Sequence, residues 1–131
     1  MYQFNMKILG IDYGLRKIGL AVAEGKLAEP LKVIRVNGDE EAVEKVKQVV
    51  QVEQVEQVII GISEGKTAEE TKKFSQNLKG EIRIPVELFD ETLSTHEAQE
   101  LSRESGMNRK KRKNMEDAFA ACIMLQNYLD K

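Results

Sequence analysis

Hydrophobic and polar positions change period along the chain, and the changes mark its elements. Residues 7–12, KILGID, are mostly apolar and end on a carboxylate, which reads as a strand covered on both faces. A turn over Tyr13 to Arg16 follows, where Gly14 is expected to take a positive φ. Residues 17–23, KIGLAVA, read as a second strand, and so short a connection makes the two antiparallel neighbours. Residues 30–36, PLKVIRV, read as a third strand after a turn near Gly25, and Pro30 at its start suits an edge.

Asn37-Gly38-Asp39 then breaks the pattern. Asp39 is placed to cap a helix whose apolar positions are Val43, Val46 and Val50. The stretch QVVQVEQVEQV is too short for a repeat architecture and reads as helix end and loop. Strand four is expected at Gln57–Ile62. Thr67 to Glu70 has capping-box spacing and opens a helix to about Leu78, closing near Gly80. Pro85–Phe89 reads as a fifth strand. Ser94 to Glu97 is a second capping box, opening a helix to about Glu104. Residues 105–114 are polar and basic. The last helix is expected from about Met115 to Leu129, with Met115, Phe119, Cys122, Ile123 and Leu129 as its stripe and Leu125 and Tyr128 beside it. The order βββαβαβαα predicts an α/β fold: a meander, then strands added parallel to strand one, in a five-stranded mixed sheet with helices on both faces.

Composition narrows this picture. A length of 131 residues fits one domain, 1–131, and 41% hydrophobic residues supply a core of ordinary size. A net charge of −2 argues against non-specific coating of duplex DNA. The single cysteine, Cys122, allows neither an intrachain disulfide nor a cysteine-based zinc site, and its place on the stripe points to core packing. Neither a signal peptide nor a long apolar run is visible, so the expectation is a soluble cytoplasmic protein without a membrane partner. Residues 1–5, ahead of Met6, read as an extension or a misplaced start.

The carboxylates carry the candidate chemistry. Asp12 closes strand one, Glu64 follows strand four, and Asp90-Glu91 close strand five. If these strands are parallel, all of them share the carboxyl edge of the sheet, where sites form in open α/β sheets. Asp117 opens the last helix and could face that edge. Grouped carboxylates repel unless a cation neutralises them, and hard oxygen ligands suit Mg²⁺ or Mn²⁺. Two such ions could activate water and stabilise the leaving oxygen of a phosphodiester. Taken singly, Asp12 reads equally as a turn residue, Asp117 as a partner of the helix dipole, and Glu91 as a surface charge.

The motifs DYGLRKIGLAVA at 12–23, VIIGI at 58–62, DETLST at 90–95 and EDAFAACIMLQNYL at 116–129, in this order, resemble the YqgF/RuvX family. The resemblance runs from about Met6 to Leu129. It implies a ribonuclease H-like sheet in the order 3-2-1-4-5, and a nuclease. The substrate it implies is the 5′ end of precursor 16S ribosomal RNA or, alternatively, a Holliday junction. It also implies that Asp12, Glu91 and Asp117 are the catalytic metal ligands, with Asp90, just before Glu91, as an optional helper. Two departures stand out. The strand-four motif, usually G-L-P followed by a longer loop, reads Gly61-Ile62-Ser63-Glu64 here, so that Glu64 reads equally as a fourth metal ligand or as a loop charge, and Thr92 stands where the family usually has Arg.

The cations divide in the same way. Arg16 and Lys17, beside Asp12, read as a solvated turn or as phosphate contacts. Arg109, Lys110, Lys111, Arg112 and Lys113 read as a solvated run or as a loop that grips a nucleic-acid backbone without reading sequence. His96 reads as a surface residue with a possible proton-transfer role. A nuclease on precursor ribosomal RNA or branched DNA, as monomer or homodimer, is the leading reading. A non-cleaving nucleic-acid-binding factor in ribosome assembly or transcription is its rival.

Overall fold

The computed structural model of the protein describes residues 6–62, 68–90 and 114–131. Five strands form one sheet: β1 (Lys7–Asp12), β2 (Lys17–Glu24), β3 (Ala28–Arg35), β4 (Gln57–Ile62) and β5 (Val86–Asp90). Their order is β3-β2-β1-β4-β5, as expected, with β1–β2 and β2–β3 antiparallel and β1–β4 and β4–β5 parallel. Helices α1 (Asp39–Glu53) and α2 (Ala68–Glu81) cover one face, and α3 (Glu116–Asp130) covers the other. The expected helix at 94–104, the start of the 67–70 capping box and all but the last residue of the basic segment 105–114 lie outside the described residues.

Alternation along β1 feeds two cores. Leu9, Ile11 and Tyr13 enter the core under α1 and α2, with Val46, Ile60, Phe74 and Leu78. Ile8 enters the core under α3, with Ala21, Ile59, Ala121, Met124 and Leu125. By the same period of two, Gly10 and Asp12 belong to the α3 face. Pro30 sits in edge strand β3, where its missing N–H costs no ladder bond. The register slips there: Ala21 pairs with Pro30 and Leu20 with Lys32, leaving Leu31 as an extra residue.

Helix α3 lies unusually close to the sheet because it crosses glycines. A Cβ at Gly10 would lie 2.9 Å from Leu125 Cβ, and one at Gly61 would lie 2.7 Å from Met124 Cγ. A Cβ at Gly19 would overlap the backbone carbonyl of Asp117. This corrects the expected stripe. Ala118, Phe119, Ala121, Cys122, Met124 and Leu125 are buried, whereas Ile123 and Leu129 are only half-buried. The helix turns its smaller and more flexible residues toward the glycine floor. Burying Phe119, Met124 and Leu125 stabilises the fold by roughly 1.5–3 kcal/mol each. Burial and then the nearby Glu29 push the Cys122 thiol up to about 11, as suits a core cysteine.

Two local expectations are also corrected. Gly14 does not take a positive φ; among the described glycines only Gly25 and Gly38 do. Glycine is needed at 14 because a Cβ would sit 2.5 Å from the Lys17 carbonyl oxygen. Asp39 does not cap α1, whose N-cap is Gly38 with no side-chain cap hydrogen bond. Its carboxylate instead accepts a 2.6 Å hydrogen bond from the Tyr13 hydroxyl. The Tyr13 ring stacks on Phe74 of α2 at 4.7 Å, so one side chain ties the end of β1 to both helices.

The glycine floor predicts a graded series. Gly19→Ala confronts backbone and should cost at or above the ~1–3 kcal/mol typical of overpacking. Gly61→Ala, facing the flexible Met124, should cost least. Urea unfolding of the three alanine variants checks the order, and equal midpoints for Gly19→Ala and wild type would refute it. The Tyr13 tie predicts a pH effect. Burial, then the hydrogen bond and charge of Asp39, raise the Tyr13 ionisation above its usual 10.0. The folded state therefore holds this proton more tightly than the unfolded chain. That stability is fully present below about pH 10 and falls as pH rises further. Tyr13→Phe should cost about 1 kcal/mol at neutral pH and flatten the alkaline limb of a stability–pH curve.

Candidate active site

Asp12 ends β1 at the carboxyl edge of the sheet, half-buried on the α3 face. Its register partners are Gly19 on β2 and Gly61 on β4. Neither adjoining strand therefore places a side chain beside the carboxylate, and α3 takes the room instead, with the Asp117 backbone over Gly19 and Met124 over Gly61, so that Asp12 stands on a shelf bordered by that helix. The residues before and after it, Ile11 and Tyr13, are buried in the opposite core and hold the strand end in place.

The second carboxylate arrives through the same glycine. Because the Asp117 backbone lies directly on Gly19, the first turn of α3 sits one strand from Asp12. Glu116 and Asp117 put negative charge in that turn, where the helix dipole favours it. Lys17 Nζ lies 3.9 Å from Asp117 Oδ2, both about half-exposed, a long and solvent-screened pair. Arg16 is exposed, and its carbonyl accepts a 2.9 Å hydrogen bond from Val36 N–H, which pins the turn to the end of β3.

The remaining expected residues separate. Asp90 pairs with Ile62, in the row of Ile60 and Leu88, so it belongs to the α1–α2 face, opposite Asp12. Glu64, Glu91 and Arg109 to Lys113 lie outside the described residues. Among the described residues no three His, Cys, Asp or Glu side chains group closely enough to hold a metal. Asp12 and Asp117 are hard oxygen donors on one shelf, and that donor chemistry fits Mg²⁺ or Mn²⁺ with a further carboxylate from elsewhere in the chain.

Sequence reasoning missed Gly19 and Gly61 as parts of the site. The expected turn at 13–16 hid Gly19, because it would set Lys17 opposite Asp12, whereas the hairpin register sets Gly19 there. It also missed Arg35, the cross-strand partner of Lys17.

Known proteins resemble this chain along nearly its whole length. The family model for RuvX, described as a Holliday junction resolvase, matches residues 6–131. A protein of Halothermothrix orenii, named "Putative pre-16S rRNA nuclease", is 39% identical over 133 residues, covering 95% of each chain. A protein of Pelotomaculum thermopropionicum with the same name is 37% identical over 134 residues, covering 95% of this chain and 87% of its own. Among solved structures, Thermus thermophilus RuvC in complex with a Holliday junction substrate superposes with a TM-score of 0.64 at 19% identity, covering 95% of each chain. The fowlpox virus resolvase with Holliday junction DNA gives 0.58 at 12% identity, covering 96% of this chain and 100% of that one. The ribonuclease H-like sheet is thus the observed fold, and the chain belongs to the RuvX family.

Proposed function

We propose that this chain is a divalent-metal-dependent nuclease that hydrolyses phosphodiesters of structured nucleic acid, with precursor 16S ribosomal RNA as its substrate. The observation that carries the reading is the shelf: a strand-end carboxylate, Asp12, flanked by two glycines and approached by Asp117 through direct backbone contact with one of them. A turn residue would not need the first turn of a helix brought down onto the strand beside it. The choice of ribosomal RNA is supported by the names of relatives at 37–39% identity over nearly full length.

Asp12, Asp117 and Glu91 are the carboxylates assigned to hold Mg²⁺ or Mn²⁺. Asp90 is left out because its register puts it on the other face. When bound, such ions supply charge stabilisation for the phosphoryl group and make water a better nucleophile at neutral pH. The chain's own part is to present the carboxylates without reorganisation, since Ile11 and Tyr13 fix the strand end. Lys17 and Arg16, exposed on the adjoining turn, bind the incoming phosphate.

The test is a cleavage panel with Mn²⁺, comparing a precursor 16S 5′ fragment with a four-way DNA junction. Asp12→Asn and Asp117→Asn should each lower kcat by roughly a hundredfold or more, the loss of several kcal/mol of charge stabilisation. Each should also weaken Mn²⁺ binding measured by calorimetry without nucleic acid. Cleavage that survives Asp12→Asn unchanged would sink the assignment. Cleavage of the junction alone would transfer it to a resolvase, and binding without cleavage of either would favour a non-catalytic factor.

A further inference from the structure

At the carboxyl edge of the sheet, β2 and β3 meet in a pair of cations. Lys17 opens β2, Arg35 closes β3, and the two are direct cross-strand partners. One step further out, Val36 N–H donates to the Arg16 carbonyl. Lys17 and Arg35 are therefore a non-hydrogen-bonded pair, the kind whose side chains stand closest, and like charges so placed repel. The strand end is tied from two sides. The Val36 bond holds it to β2, and Lys45 of α1 donates a 2.7 Å hydrogen bond to the Arg35 carbonyl, which keeps the pair side by side. Ile34 and Val36, on either side of Arg35, pack into the core under α1 and α2. By the period of two, the Arg35 side chain belongs to the α3 face, with Lys17, Gly19 and Asp12. Lys17 has one loose carboxylate neighbour, Asp117 at 3.9 Å. Arg35 is exposed and forms no ion pair among the described residues.

We infer that Arg35 is a phosphate-binding residue of the candidate active site: with Lys17, it holds the phosphate next to the scissile one as a nucleic-acid strand passes from Asp12 across β2 toward β3. The inference rests on the nuclease reading for what happens at Asp12. From Asp12 the row runs through Gly19 to Val33, and Arg35 stands two residues beyond Val33 on the same face. That is about 10 Å across the strands and about 7 Å along them, a separation that suits a neighbouring phosphate rather than the one at the carboxylates. A guanidinium takes two phosphate oxygens at once, and Lys17 adds a point charge beside it. A phosphate between the two replaces their repulsion with attraction, so the pair destabilises the free protein and favours the complex. Lys32 supplies the contrast. It is also exposed, but it lies opposite Leu20, whose side chain is in the core under α1 and α2, so it stands on the other face of the sheet.

The experiment measures anisotropy of a fluorescein-labelled precursor 16S 5′ RNA in EDTA, titrated across about 50 to 200 mM salt. It compares wild type, Arg35→Gln, Arg35→Lys and Lys32→Gln. Arg35→Gln should weaken binding roughly tenfold and lower the log–log salt slope by about 0.7–0.9, the loss of one phosphate contact. Arg35→Lys keeps the charge, so it should keep the slope and lose only a few-fold in affinity with the two-oxygen grip. Lys32→Gln removes the same charge from the same strand and should leave slope and affinity nearly unchanged. With Mn²⁺ present, Arg35→Gln should raise KM for cleavage and hold kcat, and its Tm should hold or rise because a repulsion is gone. An unchanged slope for Arg35→Gln, with or without a lower Tm, overturns the inference, as do equal effects of Arg35→Gln and Lys32→Gln. Neither result touches the nuclease reading, which cleavage by the wild type decides. Wild type that binds with the Arg35-dependent slope yet never cleaves overturns the nuclease reading alone. Wild type that neither binds nor cleaves overturns both.

Discussion

The structure depends on how closely α3 approaches the sheet. An ordinary helix is held off a sheet by two layers of side chains. Here Gly10, Gly19 and Gly61 remove one layer over a triangle, with Gly19 on β2 and Gly61 on β4 level with Asp12 and Gly10 two residues below it on β1. The gain is intimate contact between the helix and three strands, made with Leu125, Met124 and the backbone of Asp117. The same omission lets the helix settle on the strands at both sides of Asp12, which is what brings Asp117 to the strand next to it. Packing and site therefore share one cause.

The opposite face supplies the counterpart. Ile11 and Tyr13 flank Asp12 in sequence and are buried under α1 and α2. Tyr13 spends its hydroxyl on Asp39 and its ring on Phe74. The Asp12 carboxylate is thus carried on a strand end held from behind by the opposite core. The polar shelf and the rigid anchor differ only by the alternation of the strand. Such support from behind helps keep a charged group oriented.

Much of this was legible in the sequence. The apolar run KILGID and the short turn after it identify β1 and β2, and the switch to helical spacing after Asn37 identifies α1. Asp12 and Asp117 stood out because each sits at an element boundary within a longer motif. What could not be read depends on contacts between elements. Asp39 looked like a cap because residue type and position matched one, but a buried tyrosine hydroxyl competed for it. The α3 stripe was misjudged at Ile123 because helical spacing alone does not reveal a floor without side chains. Asp90 and Glu91 looked like one acidic pair, yet register assigns Asp90 to the far face. Arg35 was absorbed into strand three, where a charge reads as solvent-facing until its partner across the ladder is known.

Asp12 lies in the first strand and Asp117 in the last helix. A growing chain can pair β1 to β5 and still lack one of the two carboxylates. The helix that delivers Asp117 is also the one that covers Ile8, Ala21 and Ile59. Closing that apolar face and assembling the shelf are therefore a single cooperative step. A chain stalled or cut before α3 would be sticky and inert, so unfinished copies expose themselves to quality control before they could ever act on nucleic acid.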